Sequence, residues 1–149
     1  MNSRNSVCKS KGSEEKTLAE RSGEYMVVLD TSIVIDYLKG EKEVVEVIEK
    51  FSKAKFSITF ITEYELLKYR GGTVKKAFND ILTRFVIYHS DDKSAVIAAE
   101  IYNKLEDKGE LINENDILIA GISLSKNDAL LTRDKDFEKI GHKSIIVIK

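Results

Sequence analysis

Residues 26–40 read Met-Val-Val-Leu-Asp-Thr-Ser-Ile-Val-Ile-Asp-Tyr-Leu-Lys-Gly, and this stretch decides the fold. Its first four residues form a short apolar run that predicts a buried strand. From Ile33 to Lys39 the apolar residues follow a helical period, and Gly40 is a stop signal. A strand that passes so quickly into a helix is typical of α/β proteins, and here Asp30 lies at the junction.

The same alternation continues to the end of the chain. Four more short, β-branched or aromatic runs predict strands, at residues 56–60, 85–88, 129–131 and 144–148. Segments of helical period lie between them, at residues 43–52, 63–70, 74–84, 93–108 and 116–125. The sequence therefore predicts one α/β domain over residues 25–149, with a mostly parallel five-stranded sheet and helices on both faces.

Residues 1–24 have a different composition from the rest of the chain. They are rich in Ser, Lys, Glu and Asn, and Val7 and Leu18 are almost their only large aliphatic side chains. Such a segment cannot bury enough apolar surface to offset the entropy lost on ordering. We expect a polar, flexible N-terminal extension beside the folded domain.

The overall composition narrows the functional classes. Lys and Arg (24) nearly cancel Asp and Glu (25), so any nucleic-acid contact must be local or metal-mediated. No run of apolar residues is long enough to cross a bilayer, and no secretory signal pattern is present. Cys8, the single cysteine, has no partner for an internal disulfide. These features predict a cytoplasmic protein without a membrane association.

Four acids from separate segments occupy predicted strand ends or helix starts: Asp30, Glu65, Asp116 and Asp134. Ligand sites of open α/β sheets lie at the carboxyl ends of the strands, where the following helices begin. We therefore expect the four carboxylates to meet in one crevice.

The first two acids also have purely structural alternatives. Asp30 can belong to a helix cap together with Thr31 and Ser32, which follow it directly. Thr62 and Glu65 have the spacing of a capping box at the start of the next helix.

Structural alternatives exist for the last two acids as well, but they leave the joint pattern unexplained. Asp116 suits the macrodipole at a helix N-terminus, and Asp134 suits an exposed turn. Four carboxylates in one crevice, however, oppose joint ionisation unless a cation compensates their charge. Oxygen ligands without cysteine or paired histidine favour a hard ion, so the sequence predicts Mg²⁺ or Mn²⁺.

Such a site suits hydrolysis of a phosphodiester. A divalent ion activates water, orients the phosphate and neutralises charge on the attacking and leaving oxygens. The two histidines, His89 after a strand and His142 in a loop, form no recognisable pair, so a metal-free mechanism with two histidines is not indicated.

Four segments, in order, resemble the motifs of PIN-domain nucleases: Leu29-Asp30-Thr31-Ser32 with Ile35-Asp36 and Leu38, Thr62-x-x-Glu65-Leu66-Leu67, Asn115-Asp116 with the following Ile-Leu-Ile-Ala120, and Leu131-Thr132-Arg133-Asp134-Lys135-Asp136-Phe137. No single motif is specific, but four in order with family-like spacing form a strong signal. The match spans nearly all of residues 26–149 and implies a PIN-like three-layer domain. The small size resembles the VapC-type toxins of toxin–antitoxin pairs.

The resemblance implies a role for each acid and a set of partners. Asp30, Glu65, Asp116 and Asp134 would bind Mg²⁺ or Mn²⁺, with Asp136 as a candidate fifth acid. RNA would be the substrate, and the protein would be a homodimer. For the toxin branch, the resemblance also implies an antitoxin protein that inserts into the active-site groove.

Weaker candidates surround these acids. The resemblance would make Ser32 and Thr132 hydroxyl supports near the metal or phosphate. Arg133, Lys135 and Lys126 could supply local positive charge to a phosphate backbone, although each alone is also explained as a solvated surface residue.

One departure concerns a helix rather than the acids. Gly121 replaces the alanine more usual in the family, which predicts either a cost of up to about 1 kcal/mol in helix propensity or a close packing contact.

Three rival functions share parts of this pattern. An RNA-processing PIN nuclease without a toxin role would carry the same acids. A receiver-like Mg²⁺-binding module would need its acidic pair after the first strand, whereas Asp91 and Asp92 follow the third. An aspartyl phosphatase would need a second Asp where Ser32 stands.

Overall fold

The computed structural model describes residues 25–149, and the extension predicted at residues 1–24 lies outside the described residues. The described strands form one sheet: β1 (Tyr25–Leu29), β2 (Ala54–Thr59), β3 (Val86–Tyr88), β4 (Ala129–Thr132) and β5 (Ile145–Val147). Their spatial order is β3-β2-β1-β4-β5, and every pairing is parallel. The predicted five-stranded sheet is confirmed, and all its carboxyl ends face the same edge.

Between the strands, six α-helices lie in the described range: α1 (Thr31–Lys39), α2 (Lys42–Lys50), α3 (Phe60–Lys68), α4 (Gly72–Ile81), α5 (Asp92–Asp107) and α6 (Glu114–Ser125). The same range also contains two 3₁₀ helices, Leu82–Arg84 and Lys135–Ile140. Among residues 25–149, no helix has the length and apolar character needed to span a membrane.

Two apolar cores lie on opposite faces of the sheet. On one face, Val28 and Leu130 pack against α5 and α6 through Ile101 and Ile119. On the other face, Leu29 of β1 and Ile58 of β2 belong to a second core. The helices α1, α2 and α4 contribute Ile33, Val44 and Phe78 to it. The predicted three-layer arrangement is confirmed, and burial on both faces explains why the central strands β1 and β4 are almost continuously apolar.

Helices α5 and α6 approach each other closely at Gly121. A Cβ atom at this position would lie 2.8 Å from Ala98 Cβ and 2.9 Å from the Ser94 carbonyl oxygen. Of the two explanations offered by the sequence, the packing contact is therefore the one that the structure supports. The close approach holds the N-terminal turn of α6, which carries Asp116, against the rest of the domain.

Helix α3 begins at Phe60, so the prediction that Phe60 ends a strand and that the helix starts at residue 63 is wrong. The N-cap is Thr59, whose hydroxyl accepts a hydrogen bond of 3.2 Å from the Thr62 backbone N–H. The capping box predicted at Thr62 and Glu65 is wrong for the same reason, and both side chains have partners outside the helix start.

Most other helix ends differ from the prediction by one to three residues, and two differences involve 3₁₀ helices. The helix expected over residues 74–84 ends at Ile81 and continues as the 3₁₀ turn Leu82–Arg84. The 3₁₀ helix Lys135–Ile140 was not predicted at all, because six residues are too few for a helical period to show.

Candidate active site

Asp30 directly follows β1, and its backbone N–H donates to the carbonyl oxygen of Leu131 on β4 at 2.9 Å. It occupies the N-cap position of α1, yet its side chain makes no capping hydrogen bond. Thr31 and Ser32 lie inside the first turn of that helix, so the alternative of a three-residue helix cap is wrong. Asp30 is buried, with 4% of the residue exposed, and helix capping does not explain why a carboxylate stands at this position.

Two hydroxyl groups converge on one oxygen of Asp30. Thr132 Oγ1 donates to Asp30 Oδ2 at 2.7 Å, and Ser32 Oγ donates to the same atom at 3.0 Å. Burial raises the pKa of Asp30, these hydrogen bonds oppose the rise, and the negative charge of Glu65 adds to it. The structure thus places Ser32 and Thr132 as supports of Asp30.

The same hydroxyl groups fasten the loop that follows β4. Ser32 Oγ accepts from the Arg133 backbone N–H at 3.1 Å, and Thr132 Oγ1 accepts from the Asp134 N–H at 3.0 Å. Asp134 in turn is the N-cap of the following 3₁₀ helix, since its Oδ1 accepts from the Asp136 N–H at 2.9 Å. The backbone of Asp134 is therefore tied to Asp30 through Thr132, and its side chain is held by the Asp136 N–H.

Glu65 is held by residues on two other helices. Thr31 Oγ1 on α1 donates to Glu65 Oε1 at 2.5 Å and lies 3.1 Å from the hydroxyl oxygen of the buried Thr62. On the opposite side, the Asn115 amide of α6 donates to Glu65 Oε2 at 3.5 Å. The sequence did not single out Thr31 and Asn115 for this role, although each adjoins a candidate acid.

Asp116 lies in the first turn of α6, partly buried. Burial is the largest cause that raises its pKa to about 7, and negative charge on neighbouring acids adds to it, from Asp30, Asp134, Glu65 and Asp136. Hydrogen bonds connect the segments that carry these acids: Thr132 bonds to Asp30 and to the Asp134 N–H, and Asn115, next to Asp116, donates to Glu65.

The positively charged candidates behave differently from one another. Arg133 adjoins the acids, and its Nη1 lies 3.4 Å from Asp36 Oδ2, with both side chains 28% exposed. Lys135 is exposed at the start of the 3₁₀ helix. Lys126 Nζ instead lies over the ring of Tyr88, 5.4 Å from its centroid, and has no described contact with the five candidate acids.

The histidines have structural contacts. The ring of His89 stacks on Phe60, with centroids 6.2 Å apart, and His142 Nδ1 accepts a hydrogen bond from the Ser144 N–H at 3.1 Å. Neither contact pairs one histidine with the other.

The donor set suits a hard cation, although it is not arranged as a finished ligand shell. Within residues 25–149, no three Asp, Glu, His or Cys side chains are already grouped as metal ligands. Carboxylates of like charge keep apart unless a cation lies between them, and this repulsion adds to the effect of burial in raising the pKa of Asp116. Ionised oxygens in a partly buried crevice are the ligands that Mg²⁺ and Mn²⁺ prefer.

The chain is similar to known proteins over most of its length. The model of the PIN domain family matches residues 27–143. Ribonuclease VapC1 of Methanocaldococcus jannaschii is 28% identical over 120 residues, which cover 78% of this chain and 82% of that protein. Ribonuclease VapC3 of the same organism is 33% identical over 95 residues, which cover 64% of this chain and 95% of that protein.

A solved structure shares the fold. The structure of VapBC2 from Rickettsia felis bound to a DNA fragment from their promoter superposes with a TM-score of 0.67 and 25% identity. The superposition covers 82% of this chain and 96% of the matched chain.

Proposed function

Because this chain belongs to the PIN domain family, we propose that it is a metal-dependent ribonuclease and the toxin of a type II toxin–antitoxin pair. The observation that carries the proposal is convergence: Thr132 joins Asp30 to the loop that carries Asp134, and Asn115, next to Asp116, donates to Glu65. Similarity to two proteins named Ribonuclease VapC supports RNA as the substrate. The receiver-like and phosphatase alternatives have no comparable support.

The residues proposed to bind Mg²⁺ or Mn²⁺ are Asp30, Glu65, Asp116 and Asp134, with Asp136 as a fifth candidate. When bound, the ion would supply an activated water and neutralise charge on the phosphate oxygens. The chain itself supplies orientation, because Thr132 and Ser32 hold Asp30.

Arg133 and Lys135 are proposed to hold the RNA backbone next to the acids. The Arg133 guanidinium shares a partly exposed ion pair with Asp36, so it stays oriented and can still donate a hydrogen bond to a phosphate oxygen. Lys135 is exposed and offers a point charge between Asp134 and Asp136 in the chain.

We propose that the protein forms a homodimer through the α5–α6 face. A groove of about 380 Å³ lies there, lined mainly by apolar and small side chains, including Ala95, Ala99, Tyr102, Ile117 and Leu118. Leu118 is 40% exposed, and an apolar surface of this kind is stabilised by covering it with a second copy. Leu118→Glu should give a monomer in sedimentation, and an unchanged dimer would contradict this face.

An antitoxin protein is the second proposed partner, and the cytoplasm is the proposed location, since both follow from a toxin that acts on cellular RNA. The likeness to the VapBC2 structure supports a complex with a second protein. Co-expression with a neighbouring small open reading frame should restore growth that the chain alone arrests.

The nuclease proposal is tested by cleavage of RNA in Mg²⁺ or Mn²⁺, with and without a chelator. Asp30→Asn and Asp116→Asn should abolish cleavage without loss of circular dichroism, and EDTA should stop the wild-type reaction. Asp80→Asn is the matched control, because this acid is exposed on α4, away from the carboxyl edge. Full cleavage by the two site variants would contradict the proposal.

Induced expression distinguishes a toxin from a processing nuclease. Growth arrest with new RNA ends, absent for Asp30→Asn, would support the toxin role. Normal growth with correctly matured RNA would favour the processing role.

A further inference from the structure

A second groove lies between α5 and the 3₁₀ helix Lys135–Ile140, with a volume of about 340 Å³. Apolar side chains such as Ile101, Leu105 and Leu124 line it together with a set of charged and polar groups. The charged and polar lining residues are Glu100, Lys104, Lys108, Lys139 and His142. Three lysines thus line the groove with one glutamate, and two of them also pair with acids beside it, Lys108 with Glu110 and Lys139 with Asp136.

The positive charge extends around the loop at Gly141. An adjoining cavity shares Gly141 and His142 with the groove and adds Lys143 and Lys149, against Glu138. The dipole at the C-terminus of α5 explains lysines on that helix, but it does not explain those contributed by the last segment of the chain. Cations from two separate segments therefore meet along one surface, which we call the basic groove.

The basic groove lies next to the segment that carries Asp134 and Asp136. Lys139 Nζ lies 3.1 Å from Asp136 Oδ1, and the Asp136 N–H donates to Asp134. Lys139 follows Asp134 by five residues along the 3₁₀ helix, a distance of about 10 Å at roughly 2.0 Å per residue. Lys139 thus connects the lining of the groove to Asp136, and through Asp136 to Asp134, one of the proposed metal ligands.

We propose that the basic groove binds the phosphate backbone of single-stranded RNA on one side of the scissile bond. This inference rests on the proposed ribonuclease function, which it deepens by naming where the substrate strand runs. The lysines contact phosphates and carry no base specificity, since an ammonium group is a point charge. Local placement of these charges also explains how a chain without a bulk positive field holds a polyanion.

The test compares two pairs of charge-neutralising substitutions in the full chain. Lys104→Gln with Lys108→Gln removes two charges from the groove. Lys42→Gln with Lys50→Gln is the matched control on α2. Each pair contains one lysine from the last turn of a helix and one exposed lysine that makes a 3.9 Å ion pair, with Glu110 or Glu46 respectively.

Binding of a fluorescein-labelled oligo(U) RNA of about 20 nucleotides is measured by anisotropy in EDTA over a range of salt concentrations. Loss of two phosphate contacts should make the negative slope of log K, the RNA association constant, against log salt less steep by about 1.4. At roughly 0.1 M salt the same loss should weaken binding about 25-fold. The control pair should bind RNA as the wild type does.

If the Lys104→Gln/Lys108→Gln variant and the control variant have equal RNA affinity and equal salt slope, the proposal that the basic groove binds RNA is wrong. The ribonuclease proposal is tested by a separate experiment, which measures whether divalent ions support RNA cleavage. Since binding is measured in EDTA, loss of affinity in the groove pair alone supports the groove even if no divalent ion supports cleavage.

Discussion

Asp116→Asn should make the protein more stable in the absence of divalent ions. The folded state raises the pKa of this carboxyl from 3.8 to about 7, first by burial and then by the negative charge of nearby acids. Between these two values the folded state binds more protons than the unfolded state. The free energy of unfolding therefore falls as the pH rises from 3.8 to about 7, and an amide, which does not ionise, avoids this loss.

The size of the effect follows from the same two values. A difference from 3.8 to about 7 corresponds to at most about 4 kcal/mol, at about 1.36 kcal/mol per pH unit. Asp116 is only partly buried, so solvent screening reduces this to roughly 1.5 kcal/mol. Losing an acid from the first turn of α6 costs about 0.5 kcal/mol of favourable dipole interaction. A net gain of about 1 kcal/mol is expected near pH 8.

The assay is urea unfolding of wild type and variant in EDTA at about pH 8 and about pH 4, followed by circular dichroism. The gain should be present at the higher pH and absent at the lower, where the wild-type carboxyl is already protonated. Asp80→Asn, which removes an exposed carboxylate, should change the free energy of unfolding by less than about 0.5 kcal/mol at both.

An Asp116→Asn protein that is less stable than wild type near pH 8 would refute the reasoning. So would a gain of the same size at both pH values, because it would point to packing and not to ionisation.

Further predictions concern the metal, Thr31 and Gly121. Saturating Mn²⁺, at about 100 times its Kd, should raise the free energy of unfolding of the wild type by about 2.7 kcal/mol but leave that of Asp116→Asn nearly unchanged. Equal stabilisation of both proteins would exclude this carboxyl as a ligand. Thr31→Val removes the donor 2.5 Å from Glu65 Oε1 and should weaken Mn²⁺ binding about 10-fold in calorimetry, whereas an unchanged affinity would mean that the hydroxyl does not position Glu65. Gly121→Ala should lower the free energy of unfolding by about 1–2 kcal/mol, because the overpacking exceeds the gain in helix propensity. Gly72→Ala, with nothing within 4 Å of its added Cβ, is the control, and a Gly121→Ala variant as stable as wild type would show that the two helices separate freely.

The architecture was predictable because it depends on local patterns. Each strand is a short apolar run, and in a parallel sheet every run must be followed by a connection that starts at the same edge. Asp30 and Asp134 could be placed at that edge from their positions alone. Helix starts were harder, since Thr59 and Thr62 are both plausible N-caps and only the fold determines which hydroxyl faces the backbone.

The hydrogen-bond partners of the acids were not predictable from local pattern. Thr31 meets Glu65 across 34 positions of the sequence. Arg133 meets Asp36 from another element, and spacing along the chain carries no signal for such contacts. The close contact at Gly121 could be offered only as one of two explanations, because it depends on where α5 lies.

The order of the strands in the sheet has a consequence for synthesis of the protein. β1 lies between β2 and β4, so Asp30 receives its hydrogen bond from Thr132 only after 102 further positions have been added. A polypeptide still growing on the ribosome, or one ended early by a nonsense codon, holds Asp30 and Glu65 but lacks Asp134 and its supporting loop. A chain aborted at almost any stage would therefore lack part of the proposed set of metal ligands.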